Sequence, residues 1–243
     1  WFFVLLKTLR LLLLPSRYPE LLIVEFGMDK PGDIEYLMNM TRPEVGILTR
    51  IGDLTPVHSA FFSSIDDLIA EKGKIVTMLN VKGLGIVNAD DKRSLAAVSG
   101  TRAKVIKVGT ASNANVCVKE ISEEYSLKVV GRNVEGGGAH FTVNIEDQEV
   151  TVHLRNLLGD HYGMMVGQVL VVGKYLNVSM EEMVKRLESL ENAPGRLRLL
   201  LGIKKSILLD DSYNASPIAT RAALDVFKRL EYKPQETRSF YER

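Results

Sequence analysis

The sequence predicts an α/β protein: a mostly parallel sheet flanked by helices, an antiparallel hairpin section, and the start of a second Rossmann-like unit. Three observations carry that reading. Short apolar runs alternate with helical patterns through the first 110 residues; the apolar period then changes to two between Asn115 and Leu154; and a strand-then-helix pattern returns after a proline-glycine break near residue 194.

The elements follow in order. Leu21-Leu-Ile-Val-Glu-Phe-Gly27 reads as a strand buried on both faces. A helix is expected from Pro31 to Met40 and a strand over Val45–Thr49. Ser64 followed by Asp66 and Asp67 marks a helix start, and Ile65, Leu68, Ile69, Ile75 and Leu79 continue that helix on one stripe. Lys72 lies at the edge of that stripe, while Glu71 and Lys74 are expected to point elsewhere. Strands at Gly85–Ala89 and Ala103–Val108 enclose a helix from Asp91 to about Ser99. The alternating runs that follow predict hairpins, with turns at Gly136-Gly-Gly138 and Glu146-Asp-Gln148. Two helices come next, over Tyr162–Leu176 and Ser179–Leu190, the second opened by the capping pair Ser179 and Glu182. Asn192-Ala-Pro-Gly195 is the expected domain boundary, giving units of 1–193 and 194–243. Beyond it lie a strand at Ser206–Asp210 and a helix from Ser216-Pro217 to about Leu230.

Composition narrows the function classes. Thirty-one lysines and arginines balance 30 acidic residues for a net charge of +1, so nothing suggests electrostatic attraction to nucleic acid. A single cysteine, Cys117, excludes an internal disulfide framework and points to a reducing compartment. The apolar block from Trp1 to Leu14 is shorter than the roughly 20 residues of a membrane helix and is broken by Lys7 and Arg10, so it reads as a buried or partner-facing helix. Gly167 through Lys174 mimics a phosphate loop but has five residues between its glycines and Tyr175 after the lysine, and is read as core.

The local chemistry leaves several readings open. Glu25 at a strand end suits a metal ligand, or simply a carboxylate in water. His58 is a lone loop histidine, and Lys72 a helix lysine of the kind usually solvated. Arg196, directly after Pro194-Gly195, could reach a phosphate across a cleft, and Asp210-Asp-Ser-Tyr-Asn-Ala215 sits between a strand and a helix where ribose or base is commonly held. Turn chemistry explains both strings equally simply.

Taken together, Glu25-Phe-Gly27, Pro56-Val-His58, Glu71-Lys-Gly73, Asn88-Ala-Asp-Asp91, Leu158-Gly-Asp-His161, Ala193-Pro-Gly-Arg196 and Asp210-Asp-Ser-Tyr-Asn-Ala215 resemble, in order and spacing, the Mur ligases, the ATP-dependent amide-bond-forming enzymes of peptidoglycan precursor synthesis. The likeness runs from about Leu21 to Leu230, and the last two strings look most like the family member that joins D-alanyl-D-alanine to UDP-N-acetylmuramoyl-tripeptide. The resemblance implies ATP and Mg²⁺ as cofactors, those two substrates as partners, and a cytoplasmic monomer without membrane insertion. It implies that 1–193 is a central ATPase domain lacking its phosphate-loop part, that 194–243 begins the C-terminal ligase domain, and that the chain as it stands does not turn over ATP.

Residue by residue, the resemblance makes Glu25 and His58 Mg²⁺ ligands or their neighbours. Lys72 matches the lysine that is carbamylated in the family and then joins the metal site. His161, Arg196 and Asp211 match nucleotide contacts, with Tyr213 and Asn214 beside them. Two positions depart from the pattern: Tyr162 and Ser216 stand where asparagines are expected, which puts the adenine contact in question. The related folylpolyglutamate synthetases would show Asp-Gly-Ala-His where this chain has Asp211-Ser-Tyr-Asn214. A non-catalytic scaffold that kept the fold is the alternative from another class.

Overall fold

A computed structural model describes residues 1–14, 19–52, 60–131, 133–155, 157–213 and 216–232. In chain order its helices are α1 (Phe2–Leu13), α2 (Asp33–Thr41), α3 (Ile65–Thr77), α4 (Lys92–Ala97), α5 (His161–Tyr175), α6 (Met180–Glu188) and α7 (Pro217–Arg229). The strands are β1 (Val45–Leu48), β2 (Leu84–Asn88), β3 (Lys104–Gly109), β4 (Val116–Val130), β5 (Asn133–Ile145), β6 (Gln148–Arg155), β7 (Arg198–Leu201), β8 (Ile207–Asp210) and β9 (Glu231–Tyr232).

The main sheet runs β1-β2-β3-β4-β5-β6. It is parallel from β1 to β4 and antiparallel from β4 to β6, and β9 adds in parallel to the far part of β4. The parallel steps β1–β2 and β2–β3 are joined by the helices α3 and α4, as the strand-helix alternation predicts, whereas β3 passes to β4 through the short segment 110–115 without a helix. Successive residues of β2 serve opposite faces. Ile86 joins a core with Val108, Val118, Phe141, Val152, Leu170 and Met183 under α5 and α6, whereas Val87 joins Ile34, Leu48, Val76 and Ala97 under α2, α3 and α4. β7 and β8 form a separate antiparallel pair.

Local chemistry fixes the helix starts. The Ser64 hydroxyl accepts from the Asp67 N–H at 3.1 Å, the Ser179 hydroxyl from Glu182 at 3.3 Å and the Ser216 hydroxyl from Ala219 at 3.2 Å. Ser216 thus has a capping role at the position where the family pattern has asparagine. Glu71 does not point away as expected. It is 4% exposed, accepts from the Ile34 N–H at 3.0 Å and pairs with Lys74 at 2.9 Å, tying α2 to α3. Gly73 sits where α3 crosses α4 so closely that a Cβ would run into the Ala97 carbonyl. Gly73→Ala is therefore expected to destabilise by about 1–3 kcal/mol, outweighing the ~0.5–1 kcal/mol of helix propensity gained. Urea unfolding measures it; a variant as stable as the parent would contradict the close approach.

Three expectations are corrected. Leu21–Gly27 is not a strand: it bonds to no ladder, and Leu21, Leu22, Ile23 and Val24 are exposed, with only Phe26 and Met28 leaning on the core. An apolar run specifies a wish for burial, but a strand also needs a neighbour in register, and the segment makes none with the edge strand β1. The helix α1 forms as read but buries none of its residues. Gly136-Gly-Gly138 is no turn either; it lies inside β5, opposite the register shift between Glu124 and Leu127 of β4. All three glycines have positive φ, and a Cβ on Gly136 would meet the Ser126 carbonyl, so the run bends a bulged strand. The Glu146-Asp147 turn is as expected: both residues have positive φ between the paired Ile145 and Gln148, the two-residue hairpin geometry that matches strand twist.

Candidate nucleotide site

Three sequence strings meet where α5 begins. Gly159, at φ +117°, turns the chain into α5, and a Cβ there would lie 2.6 Å from the His161 ring, so the imidazole packs directly over the glycine. The His161 and Tyr162 rings stand 4.4 Å apart at 35°. The Tyr162 hydroxyl donates to Asn192 Oδ1 at 2.7 Å, and Asn192 Nδ2 donates to the Leu197 carbonyl at 3.0 Å. The Leu197 N–H in turn donates to Asp211 Oδ1 at 3.2 Å, and the Tyr213 N–H donates to the Gly195 carbonyl at 3.1 Å. The Arg196 guanidinium lies over the Tyr213 ring at 4.3 Å.

Electrostatics bind the same groups together. Burial pushes the Tyr162 phenol up to about 12, the Asp211 carboxylate adds to the rise and Arg196 opposes it, so both charges face this ring. Burial also holds the His161 imidazole below its usual value, against the pull of Asp160 and Asp211. Its Nδ1 is buried without a hydrogen-bond partner among the described residues. A neutral imidazole with an unmatched nitrogen, an exposed guanidinium stacked on a phenol, and a half-buried carboxylate that meets the Leu197 N–H through Oδ1 make a set that can receive a polar ring, hydroxyls and phosphate. His161, Arg196, Asp211 and Tyr213 are thus brought together as the sequence expects. Asn214 lies outside the described residues.

The low imidazole pKa has a consequence for stability. Between the ordinary value of 6.5 and the lower folded one, the unfolded chain binds the proton and the folded chain does not. Stability is therefore expected to fall as pH drops below 6.5 and to be insensitive to this group above it. Urea midpoints compared with those of His161→Gln across pH 5–8 check this; equal pH slopes for the two proteins would contradict it.

Lys72 belongs to a different group. It is half-buried on α3, and burial lowers its pKa while Asp91 pulls it back up. Asp91 caps α4: Oδ2 accepts from the Ile51 N–H at 2.8 Å and the Ser94 hydroxyl at 2.6 Å, and Oδ1 from the Arg93 N–H at 3.2 Å. Burial alone would raise that carboxyl, but these donors outweigh it and hold it low. Glu25 is exposed in the extended stretch before α2, and His58 lies outside the described residues. Among the described residues no three histidine, cysteine or acidic side chains group as a metal site, and the expected set of Glu25, His58 and Lys72 includes His58, which lies outside them. A cavity of about 560 Å³ opens instead at the N-terminal ends of β1 and β2, between Arg42, Glu44, Lys82 and Tyr175, and holds none of the expected site residues.

Two contributors escaped the sequence reading. Asp91 was read as the start of a helix, but no local pattern announces its bond to Ile51 or its pull on Lys72. Asn192 was read as part of the domain boundary, and no local pattern announces its bond to Tyr162.

Residues 6–164 match the Mur ligase middle domain. The chain belongs to the Mur ligase family. A UDP-N-acetylmuramoyl-tripeptide–D-alanyl-D-alanine ligase of Bacillus subtilis is 25% identical over 212 residues, covering 87% of this chain and 42% of its own length. The ligase of the same name from Escherichia coli is 27% identical over 211 residues, covering 86% and 43%. Among solved structures, MurF from Acinetobacter baumannii gives a TM-score of 0.68 at 23% identity over 84% of this chain and 42% of that one. MurF ligase from Thermotoga maritima, solved in complex with ADP, gives 0.64 at 20% identity over 83% and 43%. These likenesses establish a Mur ligase fold, and the chain spans about four-tenths of the length of these relatives.

Proposed function

We propose that the chain is part of an ATP-dependent ligase that adds D-alanyl-D-alanine to UDP-N-acetylmuramoyl-tripeptide, working as a cytoplasmic monomer. Residues 1–193 belong to its ATPase domain and 194–243 to the following ligase domain. The observation that carries the reading is the convergence of His161, Arg196, Asp211 and Tyr213, from strings far apart in sequence, on the start of α5 and the 192–197 turn. The names of the relatives supply the substrates.

In this reading ATP activates the tripeptide carboxylate as an acyl phosphate, and the D-alanyl-D-alanine amine displaces phosphate. The chain's own work is positional and electrostatic. Arg196 faces phosphate, with its guanidinium plane steadied by Tyr213. Asp211 accepts from ribose hydroxyls with the oxygen that Leu197 leaves open, and His161 borders the base; Asn214 is a further contact that the resemblance supplies. Glu25, His58 and a carbamylated Lys72 are the Mg²⁺ residues that the resemblance supplies, and no step above depends on them.

The test is ADP binding by calorimetry. Charged hydrogen bonds contribute roughly 1.5–3 kcal/mol, so Arg196→Ala and Asp211→Ala should each weaken ADP by about 10–150-fold. Unchanged affinity in both variants would sink the assignment.

A further inference from the structure

We propose that Tyr162 is a positioning residue: through Asn192, its hydroxyl fixes the 192–197 turn, and with it Arg196 and Asp211, against the start of α5. This rests on the nucleotide reading of that site and adds the device that holds it in register.

The geometry is a continuous relay. The phenol bonds Asn192 at 2.7 Å, Asn192 bonds the Leu197 carbonyl at 3.0 Å, and the Leu197 N–H bonds Asp211 at 3.2 Å. Leu197 is the pivot. It is 6% exposed, so its side chain is anchored, and its φ of +50° is a left-handed conformation that a leucine adopts only when its surroundings impose it. Here Asn192 grips its carbonyl and Asp211 its amide, and the backbone is set from both sides. Arg196, the residue immediately before, takes its direction from that peptide, and its guanidinium comes to rest on Tyr213. Tyr213 is itself tied back to the turn through the Gly195 carbonyl. Released from the relay, Leu197 would relax toward ordinary backbone angles, and Arg196 and the Asp211 carboxylate would no longer share one fixed geometry.

The phenol suits the task because it is rigid and neutral. With its pKa pushed up by burial it stays a donor across the whole working range of pH, and its ring remains packed on His161 whether or not the hydroxyl bonds. Tyr162→Phe accordingly removes one hydrogen bond and leaves the packing in place.

Two readouts test the proposal, the first on the 243-residue chain and the second at the full length the gene encodes. Amide hydrogen exchange, measured without nucleotide, should quicken by about 3- to 10-fold at Leu197 and Tyr213 in Tyr162→Phe, with α3 and β2 unchanged. ADP affinity should fall by a similar factor, Asn192→Ala should reproduce both effects, and the double variant should be no worse than either single one, because both cut the same relay. Unchanged exchange at Leu197, or effects that add in the double variant, would overturn the proposal, as would faster exchange with unaltered ADP affinity. ADP affinity is read on the protein at the full length the gene encodes; if that protein binds no ADP, the nucleotide reading fails by itself, while the exchange data still decide whether the relay exists.

Discussion

Asp91→Ala is expected to destabilise the protein by about 2–4 kcal/mol. Two losses coincide at this side chain. Removing a helix N-cap costs ~0.5–2 kcal/mol, and α4 starts on Asp91. The second loss falls on Ile51, which is 2% exposed and whose N–H has the carboxylate as its acceptor at 2.8 Å; stranding a buried donor costs ~1–3 kcal/mol. Asp91→Asn separates shape from charge, since the amide oxygen can still cap and accept; it should keep most of the stability while removing the charge that pulls the Lys72 pKa upward. Because the folded carboxyl titrates below its usual range, its contribution is present above the unfolded value of 3.8 and is lost as pH falls through the folded one. Urea unfolding at pH 7 and pH 3 reads both statements. An Asp91→Ala protein within 0.5 kcal/mol of the parent, the usual scatter of surface substitutions, would show that the cap and the Ile51 bond carry no weight.

What the sequence reveals and what it hides divide along physical lines. Features set by neighbours in the chain were legible: the serine caps at 64, 179 and 216, the two-residue turn at Glu146-Asp147, and the alternation through β4, β5 and β6. Features set by distant partners were not. Leu21–Gly27 has the composition of a buried strand, yet strand formation depends on a partner edge that no local pattern encodes. Gly136–Gly138 looks like a turn because three glycines accept positive φ. The same freedom serves a bulge, and only the approach of the Ser126 carbonyl decides between the two. Glu71 is charged and on a helix, the ordinary marks of exposure, but the Ile34 amide and Lys74 arrive from one side each and make its burial tolerable. At the candidate site, the order and spacing of whole strings singled out His161, Arg196, Asp211 and Tyr213, which the fold brings near one another. The bonds that join them run through Asn192 and Leu197, whose roles exist only once the chain has folded back.

Lys72→Ala, assayed for ligation at the full length the gene encodes, is expected to lose activity by about 100-fold or more, the scale of removing one group that stabilises charge at a reacting centre. The argument starts from protonation. A carbamate forms when the lone pair of a neutral amine attacks dissolved carbon dioxide, making an N–C bond and releasing the nitrogen proton, so the reaction needs a lysine that gives up its proton below the ordinary ~10.4. Lys72 is half-buried on α3, and burial lowers its pKa in the structure. Asp91 works in the other direction and offsets part of that lowering. The two groups therefore form an adjustable pair: Asp91→Asn should ease deprotonation of Lys72 and shift the pH at which carbamylation sets in toward lower values, an outcome that ¹³C-labelled carbon dioxide and NMR can follow on the 243-residue chain. In the ligation assay, a short-chain carboxylate such as formate should restore part of the activity of Lys72→Ala, since it supplies the anion that the missing carbamate would have provided. Full activity in Lys72→Ala, or a loss that carboxylate leaves untouched while the variant remains folded, would return Lys72 to the role of an ordinary half-buried lysine packed beside a helix cap.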